Sequence, residues 1–191
     1  GASKGEGLGN KFLSHVRETQ AIAHVVRCFN NENITHVSGK IDPISDIQVI
    51  NTELALSDIE RIEKALFKLS KEVKQGVKEA KQKYELYEQT KNHIELERPM
   101  NEWGLSPTEH KLLNNLHLIS QKPILYIANV DEEGFDNNPL LDQVREFSAT
   151  QNNKTIAVSA AIESEIAELS HEEQVEFFES LGLSEPGLNQ I

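Results

Sequence analysis

Two kinds of apolar pattern alternate along the chain, short continuous runs and longer stretches in which apolar residues recur every three or four positions. Ala21 to Phe29, Lys122 to Asn129 and Thr155 to Val158 are of the first kind and predict buried strands, the first of them covered on both faces. Phe12 to Thr19 is of the second kind and predicts a helix. From Ile59 the apolar positions Ile59, Ile62, Leu66, Leu69 and Val73 follow a heptad seam, which resumes at Ala80, Tyr84, Tyr87 and Ile94. Between the two runs lies Lys74-Gln75-Gly76, where glycine permits the left-handed conformation of a reversal. Two helices joined by so short a link pack antiparallel. The tyrosines read most simply as packing residues with solvent-reaching hydroxyls.

Polar punctuation sets the remaining boundaries. Asp42-Pro43 marks a turn, and Pro99 ends the second long helix. Ser106-Pro107-Thr108-Glu109 places a capping residue, a proline at the first helical position and a glutamate three residues after the cap, predicting a helix through about Ile119. Asn138-Pro139 opens another to about Phe147, and Ser170 with Glu173 starts a last one towards Gly182. Gly1 to Phe12, with four glycines, predicts a mobile loop. Strands alternating with helices on either side of a helical hairpin imply a parallel α/β sheet with an inserted coiled coil.

Composition narrows the class. The 191 residues are 38% hydrophobic and 26% charged, a globular composition rather than a collagen-like, disulfide-framework or disordered one. Nineteen Lys and Arg against 31 Asp and Glu leave a net charge of −12, which argues against DNA binding or any broad grip on nucleic acid and restricts an RNA contact to a local patch. The lone cysteine, Cys28, lies in an apolar run and suits a reducing, cytoplasmic setting. No apolar stretch approaches the roughly 20 residues of a membrane helix. A chain opening on Gly1 without methionine is expected to be a fragment.

Open α/β sheets bind ligands beyond the carboxyl ends of their strands, which directs attention to Asn129-Val130-Asp131-Glu132 and Ser159-Ala160-Ala161. An asparagine at such a point can tie two loops together and face the edge of a base. The histidines other than His36 show no i, i+4 pair and no cysteine partner, so no metal site is expected among them. Asp131, Glu132 and Glu133 read as solvated loop acids. Lys64, Lys68, Lys71, Lys74, Lys78 and Lys81 recur at helical spacings, as on a solvated helix face or as a strip that meets ribosomal RNA.

Gly1 to Phe12 with Arg17-Glu-Thr19, His24-Val-Val-Arg-Cys-Phe29, Ile50-Asn-Thr-Glu-Leu-Ala-Leu56 and Glu185-Pro-Gly-Leu-Asn189 resembles the YchF/Obg-like ATPase family of P-loop proteins over essentially the whole chain. The resemblance implies the distal part of a Ras-like nucleotide-binding domain interrupted by an antiparallel helical coiled coil. Residues 1–54 and 120–191 would then belong to the nucleotide domain and residues 55–119 to the insertion, with a TGS domain after residue 191. Asn129 and Glu132 match the family's Asn-x-x-Glu base motif, where GTPases carry Asn-Lys-x-Asp. An aspartate in that place rewards guanine by accepting from N1–H and the exocyclic amine, and its loss favours ATP over GTP.

The same resemblance assigns adenine contact to the main chain of Val130, support of the base to Ser159 and Ala160, and hydrolysis to His36, whose imidazole titrates near neutrality and can orient water. A loop histidine with a structural hydrogen bond is the plainer alternative for His36. ATP and Mg²⁺ are the implied cofactors, with the Mg²⁺ ligands outside the chain because no Gly-x-x-x-x-Gly-Lys-Ser/Thr occurs in it. A potassium requirement is left open. The function implied is ATP hydrolysis by a switch protein that works with the ribosome, the 191 residues alone being inactive. The competing class is a non-catalytic ribosome- or protein-interaction module with regulatory GTP or ATP binding.

Overall fold

The computed structural model describes residues 8–30, 41–100, 103–170, 172–174 and 189. In chain order it forms α1 (Leu8–Glu18), β1 (Ile22–Arg27), α2 (Pro43–Lys74), α3 (Lys78–Glu95), α4 (Pro107–Asn114), a 3-10 turn (Ile119–Gln121), β2 (Ile124–Asn129), α5 (Pro139–Thr150), β3 (Lys154–Val158) and α6 (Ala160–Ile166). Contacts divide the chain into two compact units, residues 1–22 with 48–123 and residues 23–47 with 124–191.

The second unit is built on the sheet, in the order β1-β2-β3. β2 and β3 are parallel, with Asn129 opposite Val158. Ile22 N donates to Pro123 O at 2.9 Å and Cys28 N to Asn129 O at 2.7 Å, bonds that advance in step along both strands and make β1 parallel to β2. Tyr126, Ile127 and Ala128 are all buried, as suits the central strand. β1 differs from the expectation of cover on both faces. Val26 packs into the core with Ile47, Ala128, Leu141 and Val144, whereas Val25 is 63% exposed, because nothing among the described residues covers that face.

Burial has chemical consequences in this core. Cys28 is free and fully buried, and burial pushes its thiol up to about 11, so it stays protonated and unreactive at neutral pH. The His24 ring lies 5.6 Å from that of Tyr126, and desolvation pushes its imidazole below the ordinary range despite the opposing Asp46 carboxylate.

The other unit gathers Ile62, Leu86, Tyr87, Ile94, Met100, Leu113, Leu116 and Leu118, with Ile59, Leu66 and Leu69 packed against them. Of the heptad positions of the sequence, Ile59, Ile62, Leu66, Leu69, Tyr87 and Ile94 face this core, whereas Val73, Ala80 and Tyr84 are not part of it. Gly76 turns at φ +81°, and Lys91 Nζ on α3 meets Glu63 Oε1 on α2 at 2.6 Å. Ser106 caps α4 by a capping box with Glu109. That helix stops at Asn114 rather than continuing to Ile119. Leu116 N bonds Leu113 O at 2.8 Å and His117 adopts φ 48°, a reversal that buries Leu116, Leu118 and Ile119. The reversal also turns the Ile119 and Ser120 amides towards Asp58, at 3.0 and 2.8 Å.

Asp58, wholly buried, accepts in addition from Ser120 Oγ at 2.8 Å and from Arg17 Nη1 at 2.5 Å. Arg17 donates further to Ser57 O, Ser57 Oγ and His117 O at 2.8, 2.7 and 3.1 Å. Lys122 Nζ binds the carbonyls of Arg17 and Thr19, so the end of α1 is tied to α2 and to the turn before β2. α1 begins at Leu8, earlier than the pattern predicts, and α6 is a helix the sequence reading did not include. The Ser170–Glu173 cap forms, with Ser170 N donating to Glu173 Oε2 at 2.9 Å. Most of the helix expected beyond it lies outside the described residues.

Candidate nucleotide-base site

β2 ends at Asn129 and β3 at Val158, neighbouring positions in the parallel register, so the loops that follow leave the sheet side by side. The Asn129 side chain spans them, its Oδ1 accepting from Ala160 N at 3.0 Å. Its amide nitrogen has no hydrogen bond among the described residues, and it is not a buried orphan. Val130 N donates to Val158 O at 2.9 Å, which commits the amide, and the residue as a whole is buried. Ser159 is buried and caps α6, its Oγ accepting from Ile162 N at 3.5 Å, while Ala160 lies exposed at the first helical position.

Glu132 lies in the exposed turn that follows Val130. The turn closes tightly, with Gly134 N donating to Asp131 O at 3.2 Å. A Cβ on Gly134 would meet the end of the exposed Asp131 side chain, which can turn away, and would lie 3.1 Å from Asn138 Nδ2 and 3.2 Å from Val130 Cβ, so the turn packs closely there. Asn129, Val130, Ser159 and Ala160 are therefore adjacent, Glu132 is on the adjoining turn, and His36 lies outside the described residues.

Sequence reasoning recognised Asn138 only as the cap of α5. Its amide end also donates to Cys28 O and Gly134 O, each at 2.9 Å. The local signal, an asparagine before proline, announces the cap and is silent about partners 110 residues away. In the other unit a cleft of about 750 Å³ is lined by Arg17, Arg61, His117 and Lys122 among others, and holds none of the residues assigned to the base. No helix among the described residues is long and apolar enough to cross a membrane.

The architecture is that of a P-loop GTPase-type α/β fold, and the solved structure of the Schizosaccharomyces pombe YchF GTPase matches it with a TM-score of 0.82 over 96% of this chain and 51% of that one, at 33% identity. The proteins called ribosome-binding ATPase YchF in Haemophilus influenzae, Escherichia coli O157:H7 and Bacillus subtilis are 52%, 51% and 50% identical over the whole chain. The chain is thus similar along its whole length to YchF proteins, and it spans about half the length, 53%, of these curated relatives. No family model matches it.

Proposed function

We propose that this chain carries the purine-base site and a helical arm of a nucleoside triphosphatase that prefers ATP to GTP and acts with the ribosome. The bond from Ala160 N to Asn129 Oδ1 carries the reading, because it brings the two loops at the strand ends together and leaves the Asn129 amide nitrogen free to donate. Both purines offer N7 as an acceptor, so that donor selects purines without separating them. Discrimination falls to Val130 and Glu132. The Val130 carbonyl accepts from the exocyclic amine of adenine, whereas guanine would set O6 against it, lone pair to lone pair. Glu132 stands where the family resemblance puts the acid that otherwise rewards guanine.

The names of the relatives support this activity and partner, the bacterial proteins being called ribosome-binding ATPases and the Schizosaccharomyces pombe one a GTPase. The 191 residues contain no Gly-x-x-x-x-Gly-Lys-Ser/Thr, the segment that cradles phosphates and holds Mg²⁺. Phosphates and Mg²⁺ are accordingly assigned to a part of the protein outside these residues. α2 from residue 55 onward and α3 pack antiparallel as an arm within residues 55–119, inserted between the two parts of the nucleotide domain, residues 1–54 and 120–191.

Calorimetry decides the base assignment. The full-length protein should bind Mg-ATP more tightly than Mg-GTP, and the 191 residues alone weakly or not at all. Tighter GTP binding by the full-length protein would overturn it. His36 is proposed as the residue that orients water. His36→Ala should lower turnover and leave ATP affinity intact, and an unchanged kcat removes it from the mechanism. Ribosome binding without ATP turnover in the full-length protein would favour the interaction-module reading, which the exposed lysines of the arm support.

A further inference from the structure

Asn138 uses the whole hydrogen-bonding capacity of its carboxamide. Oδ1 accepts from Leu140 N at 3.0 Å and Leu141 N at 3.2 Å, capping α5, while Nδ2 donates to Gly134 O and Cys28 O at 2.9 Å each. Two donors and two acceptors fix which end of the amide points where. Cys28 directly follows β1, and its own amide donates to Asn129 O at 2.7 Å. The turn from Val130 to Gly134 is thus held at both ends, by Val158 O at the start and by Asn138 at the finish.

We propose that Asn138 is a positioning residue for purine discrimination: its two N–H donors hold the turn bearing Glu132 against the end of β1, so that Val130 and Glu132 meet the base in a fixed geometry. This rests on the base reading above. The donors and the cap are separable functions of one side chain. Asn138→Asp keeps the oxygen that caps α5, and its charge suits a helix N-terminus, but it replaces the donor with an acceptor aimed at two carbonyl oxygens. Asn138→Ser keeps a capping oxygen in a shorter side chain that does not span the distance to both carbonyls.

The test is the ratio of ATP to GTP affinity in the full-length protein, measured by calorimetry beside thermal melts and amide exchange of residues 131–134. In Asn138→Asp the ratio should fall roughly tenfold, with faster exchange in the turn and a melting temperature lowered by a few degrees, since two hydrogen bonds of the fold are lost. A merely structural role would lower the melting temperature and leave the ratio unchanged, which would overturn the proposal. Should Asn138→Asp not fold, Asn138→Ser is read in the same way, and failure of both to fold would also overturn it by making Asn138 a residue of the fold alone. Wild-type protein that binds ATP no better than GTP would sink the base reading itself, a different and distinguishable failure.

Discussion

Asp58 shows what one buried charge can demand of its surroundings. A carboxylate removed from water is costly unless it is paired and hydrogen-bonded. Asp58 takes one guanidinium bond, two main-chain amides and a hydroxyl. Arg17, with 10% of its side chain exposed, is equally committed, so neither residue can be removed without stranding the other. Breaking such a pair costs about 3–5 kcal/mol. Arg17→Ala, which leaves the carboxylate buried and unpaired, should therefore lower the melting temperature by roughly ten degrees. Replacing both residues together should cost less than the sum of the single changes, a non-additivity that thermal denaturation of the four proteins measures. Additive losses would mean the pair is not coupled. Nothing near Asp58 in the sequence announces this, since its amide partners lie 61 and 62 residues on.

Elements were legible where their determinants are local. The Ser106 hydroxyl accepts from Glu109 N at 3.3 Å and Glu109 Oε2 accepts from Ser106 N at 2.7 Å, the reciprocal pair that Ser-Pro-Thr-Glu predicts. Ser106→Ala should destabilise the protein by about 1 kcal/mol, read as a shifted denaturant midpoint with unchanged slope. No shift would show the cap to be carried by the proline alone. The seam from Ile59 to Leu69 and the reversal at Gly76 are legible for the same reason, residue spacing and a positive φ. The end of α4 was not. No glycine or proline stops the chain at Asn114, and what stops it is the burial of Leu116, Leu118 and Ile119 together with the call of two amides on Asp58. The exposure of Val25 has a similar origin, because an apolar run does not state how many of its faces will find a neighbour.

At the scale of the molecule, charge separates from its average. The net −12 would repel a polyanion, yet Lys68, Lys71, Lys74 and Lys78 all lie exposed around the turn at Gly76. Each phosphate contact made by such a group releases counterions and steepens the salt dependence of binding. If the arm meets ribosomal RNA, as proposed, substituting these four lysines with glutamine should weaken sedimentation with ribosomes and flatten the slope of log affinity against log salt. A weaker affinity with the same slope would assign the loss to something other than phosphate contact.

The sequence by itself determined the caps at Ser106, Asn138 and Ser170, the places of the strands, the reversal at Gly76 and the helices around it, because each of these is settled by groups within a few residues of one another. It also carried the family resemblance and with it the assignments at Asn129, Val130, Glu132, Ser159 and Ala160. Tertiary structure alone decided which distant groups share a hydrogen bond. Asn129 reaches Ala160 across 31 residues, Asn138 reaches Cys28 across 110, and Arg17 reaches Asp58 across 41. Spacing along the chain encodes none of these pairs, because a polar side chain in a folded protein takes the partner that packing brings within about 3 Å, and packing is a property of the whole apolar core.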